Sequence, residues 1–282
     1  MISLKNLILI DEAVRSKPIN KDIADKFIQK YCTTSLNRNK HGFKIYRGRN
    51  KSNAYNLPID PYFIINPKQS ERISKNTTNI YTALIDSSEK WKDYPKRSRS
   101  IIATTNKGYA YSYGHPYLVY LVNGAKIGLC PSDDFWSSFK YIKEEFDIRV
   151  MDDFNGEVER FFNKLDSTIY DITNKSVTNK NELRNITPGG IDAILNKYQS
   201  ALTEKILQIM LYEFTNSELQ EKMINFLKSG GTFRQFFDEI LDPTKNKFRL
   251  TTIENFNFGA EYDMELWTDA ISVMILDQNE ED

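Results

Sequence analysis

Two histidines and two cysteines in 282 residues leave little room for metal or thiol chemistry. No His-x-x-x-His spacing occurs, and the set cannot supply a standard zinc cage. Cys32 and Cys130 have no histidine near them in sequence and read as structural residues; His115, before Pro116, reads as a loop residue. The Gly-x-x-x-x-Gly-Lys-Ser/Thr loop, the Gly-x-Gly-x-x-Gly fingerprint and the Gly-x-Ser-x-Gly elbow are all missing. Catalysis must then rest on arginine, hydroxyls, tyrosine and carboxylates. Three segments carry such groups: Tyr46-Arg47-Gly48, Ile101-Ile102-Ala103-Thr104-Thr105 and Asp263-Met264-Glu265-Leu266-Trp267. An arginine offers a planar fork of donors suited to phosphate. Residues two apart on an extended chain share a side, so Asp263 and Glu265 point the same way.

In this order the segments resemble the motifs of ADP-ribosyltransferases of the arginine–serine–glutamate type: an aromatic-Arg motif on an early strand, a Ser-Thr-Ser-like motif on a middle strand, and a Glu-x-Glu-like motif before a late strand. In overall style the combination also resembles transferases carried by large tailed phages. The resemblance implies NAD as the substrate, no metal, and transfer of ADP-ribose to a protein or nucleic-acid acceptor. Breaking the ribose–nicotinamide bond passes through an oxocarbenium-like state, as glycoside hydrolysis does. By resemblance Glu265 stabilises that cation and Arg47, next to Tyr46, holds NAD. Gly48 lets the backbone approach the nicotinamide amide. A hydroxyl orients Glu265, with Thr104 chosen over Ser100 and Thr105, because Ala103 stands where the family has its first serine. Asp263 assists the acceptor in place of the usual Glu or Gln, with Glu261 as a rival acid. Thr105 falls beside the cofactor, and one of Tyr109, Tyr111 and Tyr113 stacks on the nicotinamide ring.

These groups need strands to hold them. Phe43-Lys-Ile-Tyr-Arg alternates like a strand closed by Gly48, and Tyr62-Phe-Ile-Ile is a second short run ended by Pro67. Ser100–Thr105 and Tyr117–Val122 read as strands, and Asn123-Gly124 predicts a hairpin into Ala125–Leu129. The first forty residues read as helical, with a break at Pro18 and Asn20. From about Asp133 to Asp242 the pattern is helical again. Thr187-Pro188 opens one stripe from Ile191 to Met210, Gly230-Gly231 ends the next helix, and Thr232 caps another that Pro243 stops. Phe248–Ile253 and one long run, Glu265–Ile275, return to strand, and the acidic tail Asp277–Asp282 reads as frayed.

The expected architecture is therefore a single α+β domain with a transferase-like mixed sheet. Residues 1–40 give N-terminal helices, 41–132 the first half of the sheet, 133–245 a helical insertion, and 246–282 the final strands. The unusually long gap between Thr105 and Glu265 requires such an insertion.

Composition sets the outer limits. Hydrophobic residues make up 40% and charged residues 27%, as in ordinary globular chains, and 38 basic residues balance 38 acidic ones. No net field steers the chain to nucleic acid or anionic lipid. No run approaches the ~20 apolar residues of a membrane span. The start lacks the order of a signal peptide, and two distant cysteines fit a reducing cytoplasm. The one basic cluster, Lys90–Arg99, reads either as a phosphate contact, of NAD or of a nucleic acid, or as a solvated loop. The competing reading of the whole chain is a non-catalytic phage protein that binds and inhibits a host protein.

Overall fold

A computed structural model of the chain describes residues 16–49, 60–71, 79–135, 137–146, 151–178, 182, 186–213, 218–256 and 263–277. Its contacts divide the chain into two compact units. One takes the chain up to Arg72, Tyr94–Asp134, and everything from Arg249. The other takes Ile73–Asp93 and Phe135–Phe248. The helical unit thus adds residues 73–93 to the insertion expected at 133–245.

The first unit is built on strands β1 (Ser16–Pro18), β2 (Tyr46–Arg49), β3 (Tyr62–Ile65), β4 (Ile101–Thr104), β5 (His115–Leu121), β6 (Lys126–Leu129), β7 (Arg249–Thr252), β8 (Glu265–Thr268) and β9 (Ser272–Leu276). They form one sheet in the order β1-β3-β9-β5-β2-β4-β8-β6-β7. Every described pairing is antiparallel, where a mixed sheet was expected. Alternation along the strands sorts side chains to two faces. Ile45, Ala103, Val119, Leu121, Leu266 and Met274 enter one large core cluster. Tyr120 and Val273, one step out of phase, join Ile64 on the other face beneath helix α1 (Lys21–Tyr31). That helix starts where the Asn20 side chain accepts a hydrogen bond from the Ile23 amide at 2.9 Å. It buries Ala24, Phe27 and Ile28, the larger two contributing about 1.5–3 kcal/mol each. Helix α2 (Thr33–Lys40) follows directly.

Four expectations change here. Residues 16–18 form a strand on β3 within the segment read as helical. The hairpin at Asn123-Gly124 does not form. The turn is present, with Gly124 at φ 74° and the Ala125 amide donating to the Val122 carbonyl at 3.1 Å. Yet β5 pairs with β2 and β9, whereas β6 pairs with β7 and β8. The long final strand is two strands, because the chain bends between Thr268 and Ser272, where the Thr268 hydroxyl accepts the Ala270 amide at 3.2 Å. β8 then joins β4 while β9 joins β3 and β5. Finally, Asp277 is anchored, its carboxylate 3.2 Å from Lys107 Nζ; residues 278–282 lie outside the described part.

The second unit is helical: α3 (Ile80–Ser87), α5 (Lys140–Phe146), α6 (Met151–Thr173), α7 (Pro188–Ala201), α8 (Glu204–Glu213), α9 (Glu218–Lys228) and α10 (Phe233–Ile240), with α4 (Lys107–Ser112) belonging to the sheet unit. The stripe read from Ile191 to Met210 is two helices, parted at Leu202-Thr203. Gly230 ends α9 at φ 92°. Thr232 and Gln235 form a reciprocal capping box on α10. Tilted aromatic rings fill the interior, with Phe162 4.8 Å from Tyr198 and 5.3 Å from Phe233 between centroids. No described helix is long and apolar enough to cross a membrane.

Candidate functional site

The three segments picked out in the sequence meet on three neighbouring strands. β4 lies between β2 and β8, and the register sets Tyr46 opposite Thr104 and Thr104 opposite Glu265. Directly opposed residues share a face, so Tyr46, Thr104 and Glu265 make one row across the sheet. Ile45, Ala103 and Leu266, each one step away, enter the core on the opposite face.

Backbone and side-chain bonds lock the strand ends together. The Thr105 amide donates to the Met264 carbonyl at 3.2 Å, and the Met264 amide donates to the Thr105 hydroxyl at 3.1 Å. Asn106, not singled out in the sequence, is the node of this corner. Its amide donates to Thr104 Oγ1 at 3.1 Å, its Nδ2 to Asp263 Oδ1 at 2.8 Å, and its Oδ1 accepts the Tyr109 amide at 2.8 Å. That last bond caps helix α4, which carries Tyr109, Tyr111 and Tyr113. Asp263 is exposed beside the buried start of β8.

Helix α4 lies against β2 at Gly48. A Cβ there would stand 1.9 Å from the Ala110 carbonyl oxygen and 2.7 Å from Tyr113 Cβ, so only glycine admits the helix. The close approach at Gly48 is thus filled on that side by the chain's own helix. Tyr109 and Tyr113 pack edge to face at 5.7 Å, and Tyr111 and Tyr113 are exposed. Burial pushes the Tyr109 phenol far up, helped by its bond to Tyr113 and by the negative charges of Asp134 and Glu265. Tyr109 therefore stays a neutral hydroxyl near two carboxylates.

Arg47 donates from Nη1 to the Ile102 carbonyl at 2.7 Å. A second arginine meets the Glu265 carboxylate: Arg97 Nη2 stands 2.6 Å from Oε1, with the two side chains 3% and 9% exposed. The hydroxyls considered for that task also bond elsewhere: Thr104 and Thr105 accept the Asn106 and Met264 amides, and Ser100 Oγ donates to the Lys96 carbonyl at 2.7 Å. Arg97 comes from the basic cluster that leads into β4. Its sequence gave one usable signal, that position, and no sign of its partner. Glu261 lies outside the described residues.

Other cations of the cluster are also answered by carboxylates. In the sheet unit Arg99 pairs with Glu71 at 3.0 Å; in the helical unit Lys90 pairs with Asp242 at 3.1 Å and Lys92 with Glu89 at 3.6 Å. Cys32 and Cys130 are buried and outside any disulfide, and the Cys130 amide donates to the Glu265 carbonyl at 3.0 Å. Among the described residues no group of three His, Cys, Asp or Glu side chains could hold a metal ion.

No family model, no curated protein and no solved structure matches this chain.

Proposed function

We propose that the chain is an NAD-dependent ADP-ribosyltransferase acting on a macromolecular acceptor in the cytoplasm. The observation that carries this reading is the row Tyr46, Thr104, Glu265 on adjacent strands β2, β4 and β8, assembled from segments far apart in sequence.

In the proposed reaction the C1′–N bond of the nicotinamide riboside breaks and nicotinamide leaves with the electron pair. Positive charge gathers on the ribose beside Glu265, whose carboxylate stabilises it. A nucleophile of the acceptor, protein or nucleic acid, forms the new bond at C1′ and gives its proton to Asp263, which Asn106 orients. Arg47 starts on the opposite face from this row, with Ile45 and Tyr117, and its role of holding the phosphates or ribose rests on the resemblance alone. Thr105 braces the Met264 end of β8, and Thr104 holds Asn106 in place. Tyr109 and Tyr113 supply aromatic surface for the nicotinamide ring. The reading calls for no metal.

The test is nicotinamide release, or transfer of label from NAD, by the wild type and by Glu265→Gln. Glutamine keeps an acceptor for Arg97 but leaves its buried charge uncompensated, so folding of the variant is checked by circular dichroism, and the folded variant should lose about 10²-fold or more of the turnover. An equally active variant would sink the assignment.

A second reading is favoured by a separate observation. Tyr170, Ile172 and Tyr212 are exposed, at 50%, 38% and 85%, on helices α6 and α8 of the helical unit. A non-catalytic inhibitor of a host protein would use such side chains as anchors, although Tyr170 and Ile172, two apart on one helix, face different sides. That reading predicts no NAD-dependent rise in thermal stability, whereas NAD binding to the folded state would produce one.

A further inference from the structure

The segment that precedes β4 is docked onto β8 by bonds that converge two residues from Glu265. The Tyr94 ring stacks on Trp267 at 6.1 Å and 15°, and the Trp267 indole N–H donates to the Pro95 carbonyl at 2.9 Å. Trp267 itself lies over Gly128 of β6, where a Cβ would stand 2.3 Å from the ring. The Arg99 amide and the Ser100 hydroxyl both donate to the Lys96 carbonyl, at 3.0 and 2.7 Å, which closes the turn. Held on both sides, Arg97 has its guanidinium 5.5 Å from the Trp267 ring centroid and 2.6 Å from Glu265 Oε1. Trp267 and Glu265 are two apart on one strand and face the same side.

We propose that Arg97 is a positioning residue for the transfer reaction, fixing the orientation of the Glu265 carboxylate through a bond to Oε1. The inference rests on the transferase reading and deepens it. A carboxylate that must lie beside a developing ribosyl cation gains from being held in one orientation before the reaction begins, since misplacement by about 1 Å can cost 10²-fold in rate. Thr104, the strand residue opposite Glu265, has its hydroxyl on the Asn106 amide. A planar guanidinium does the same work through its Nη2 bond to Oε1, and its position is set by the Trp267 dock. The ion pair is costly to bury and gives weak stabilisation relative to an apolar pair, so orientation accounts for its place better than stability does.

The full-length chain is compared with Arg97→Lys, Arg97→Gln and Arg97→Ala, reading nicotinamide release against NAD concentration. Near-ultraviolet circular dichroism and the NAD-induced thermal shift report folding and binding. The expected result is a kcat lowered at least about tenfold in Arg97→Lys with KM for NAD changed less than about twofold. Lysine keeps the charge and loses the planar guanidinium set against Trp267. Free guanidinium ion should restore part of the rate of Arg97→Ala, which a purely structural role would not produce in a folded variant. Should Arg97→Ala fail to fold, the kcat–KM split of Arg97→Lys decides. An active wild type with folded Arg97→Lys and Arg97→Gln at full kcat overturns this inference alone. A wild type that neither binds nor cleaves NAD overturns the transferase reading and this inference with it.

Discussion

Arg97 Nη2 and Glu265 Oε1 lie 2.6 Å apart in a buried pair formed across 168 residues of sequence. Removing one partner of such a pair strands the other charge in a poor environment. Arg97→Met is therefore expected to lower stability in urea by about 3–5 kcal/mol. Adding Glu265→Leu should recover much of that loss, because an apolar pair carries no desolvation cost. A double variant as unstable as the sum of the single ones would show that the two residues act independently.

Gly48 predicts a steric limit. Its absent Cβ would meet the Ala110 carbonyl at 1.9 Å, and a backbone atom cannot swing aside as a side-chain tip can. Gly48→Ala should cost about 1–3 kcal/mol and displace α4, with Tyr109 and Tyr113, from the site. The control is Gly189→Ala in the first turn of α7, where nothing lies within 4 Å of a new Cβ. That change should be neutral or stabilising by up to about 1 kcal/mol. Equal unfolding midpoints for the two variants would contradict the packing described at Gly48.

Acid should weaken the fold through two carboxylates held below their ordinary values. At Glu254 burial pushes the carboxyl up, but bonds from the Gly124 amide, its own amide and the Thr252 and Thr34 hydroxyls outweigh it. At Asp242 burial also pushes up, and Lys90 with the Thr244 and Lys245 amides reverses it. A carboxyl whose folded pKa lies below the unfolded one adds stability above the unfolded value and loses it as pH falls through the folded value. The ordinary values are 4.5 and 3.8, so the loss begins below those points. Urea midpoints compared between about pH 6 and about pH 3 should fall less for Glu254→Gln than for the wild type. An identical fall would remove Glu254 from the account.

The sequence made local structure legible and left partners hidden. Asn123-Gly124 does turn, as Gly124 at φ 74° attests, but turn chemistry says nothing about which strand each arm pairs with. Here the two arms part to opposite sides of β2, β4 and β8. The run from Glu265 to Ile275 is apolar enough throughout to read as one strand. Its bend depends on the Thr268 hydroxyl taking the Ala270 amide, a detail no periodicity reveals. At the candidate site, residue types marked Tyr46, Thr104 and Glu265, but their shared register is a tertiary fact. Arg97, one cation of the Lys90–Arg99 cluster, and Asn106 each look ordinary until a distant carboxylate, Glu265 or Asp263, is brought beside it.

Both thiols should be silent in the native state. Cys32 and Cys130 are fully buried, and burial pushes the Cys32 thiol up to about 12. Thiolate is the reactive form. The folded protein at neutral pH should consume almost no aromatic disulfide reagent, and the urea-unfolded protein should consume two equivalents. Rapid labelling of the native chain would place at least one cysteine at the surface.

The central claim is that the row Tyr46, Thr104, Glu265 is a site for NAD chemistry. Its most direct test is incubation of the purified protein with NAD labelled in the adenylate, with and without a bacterial lysate, beside Glu265→Gln. The account predicts nicotinamide release or label transfer by the wild type and about 10²-fold less by the folded variant. Absence of turnover by the wild type, together with no NAD-induced stabilisation, would contradict it and leave the partner-binding reading of the helical unit in its place.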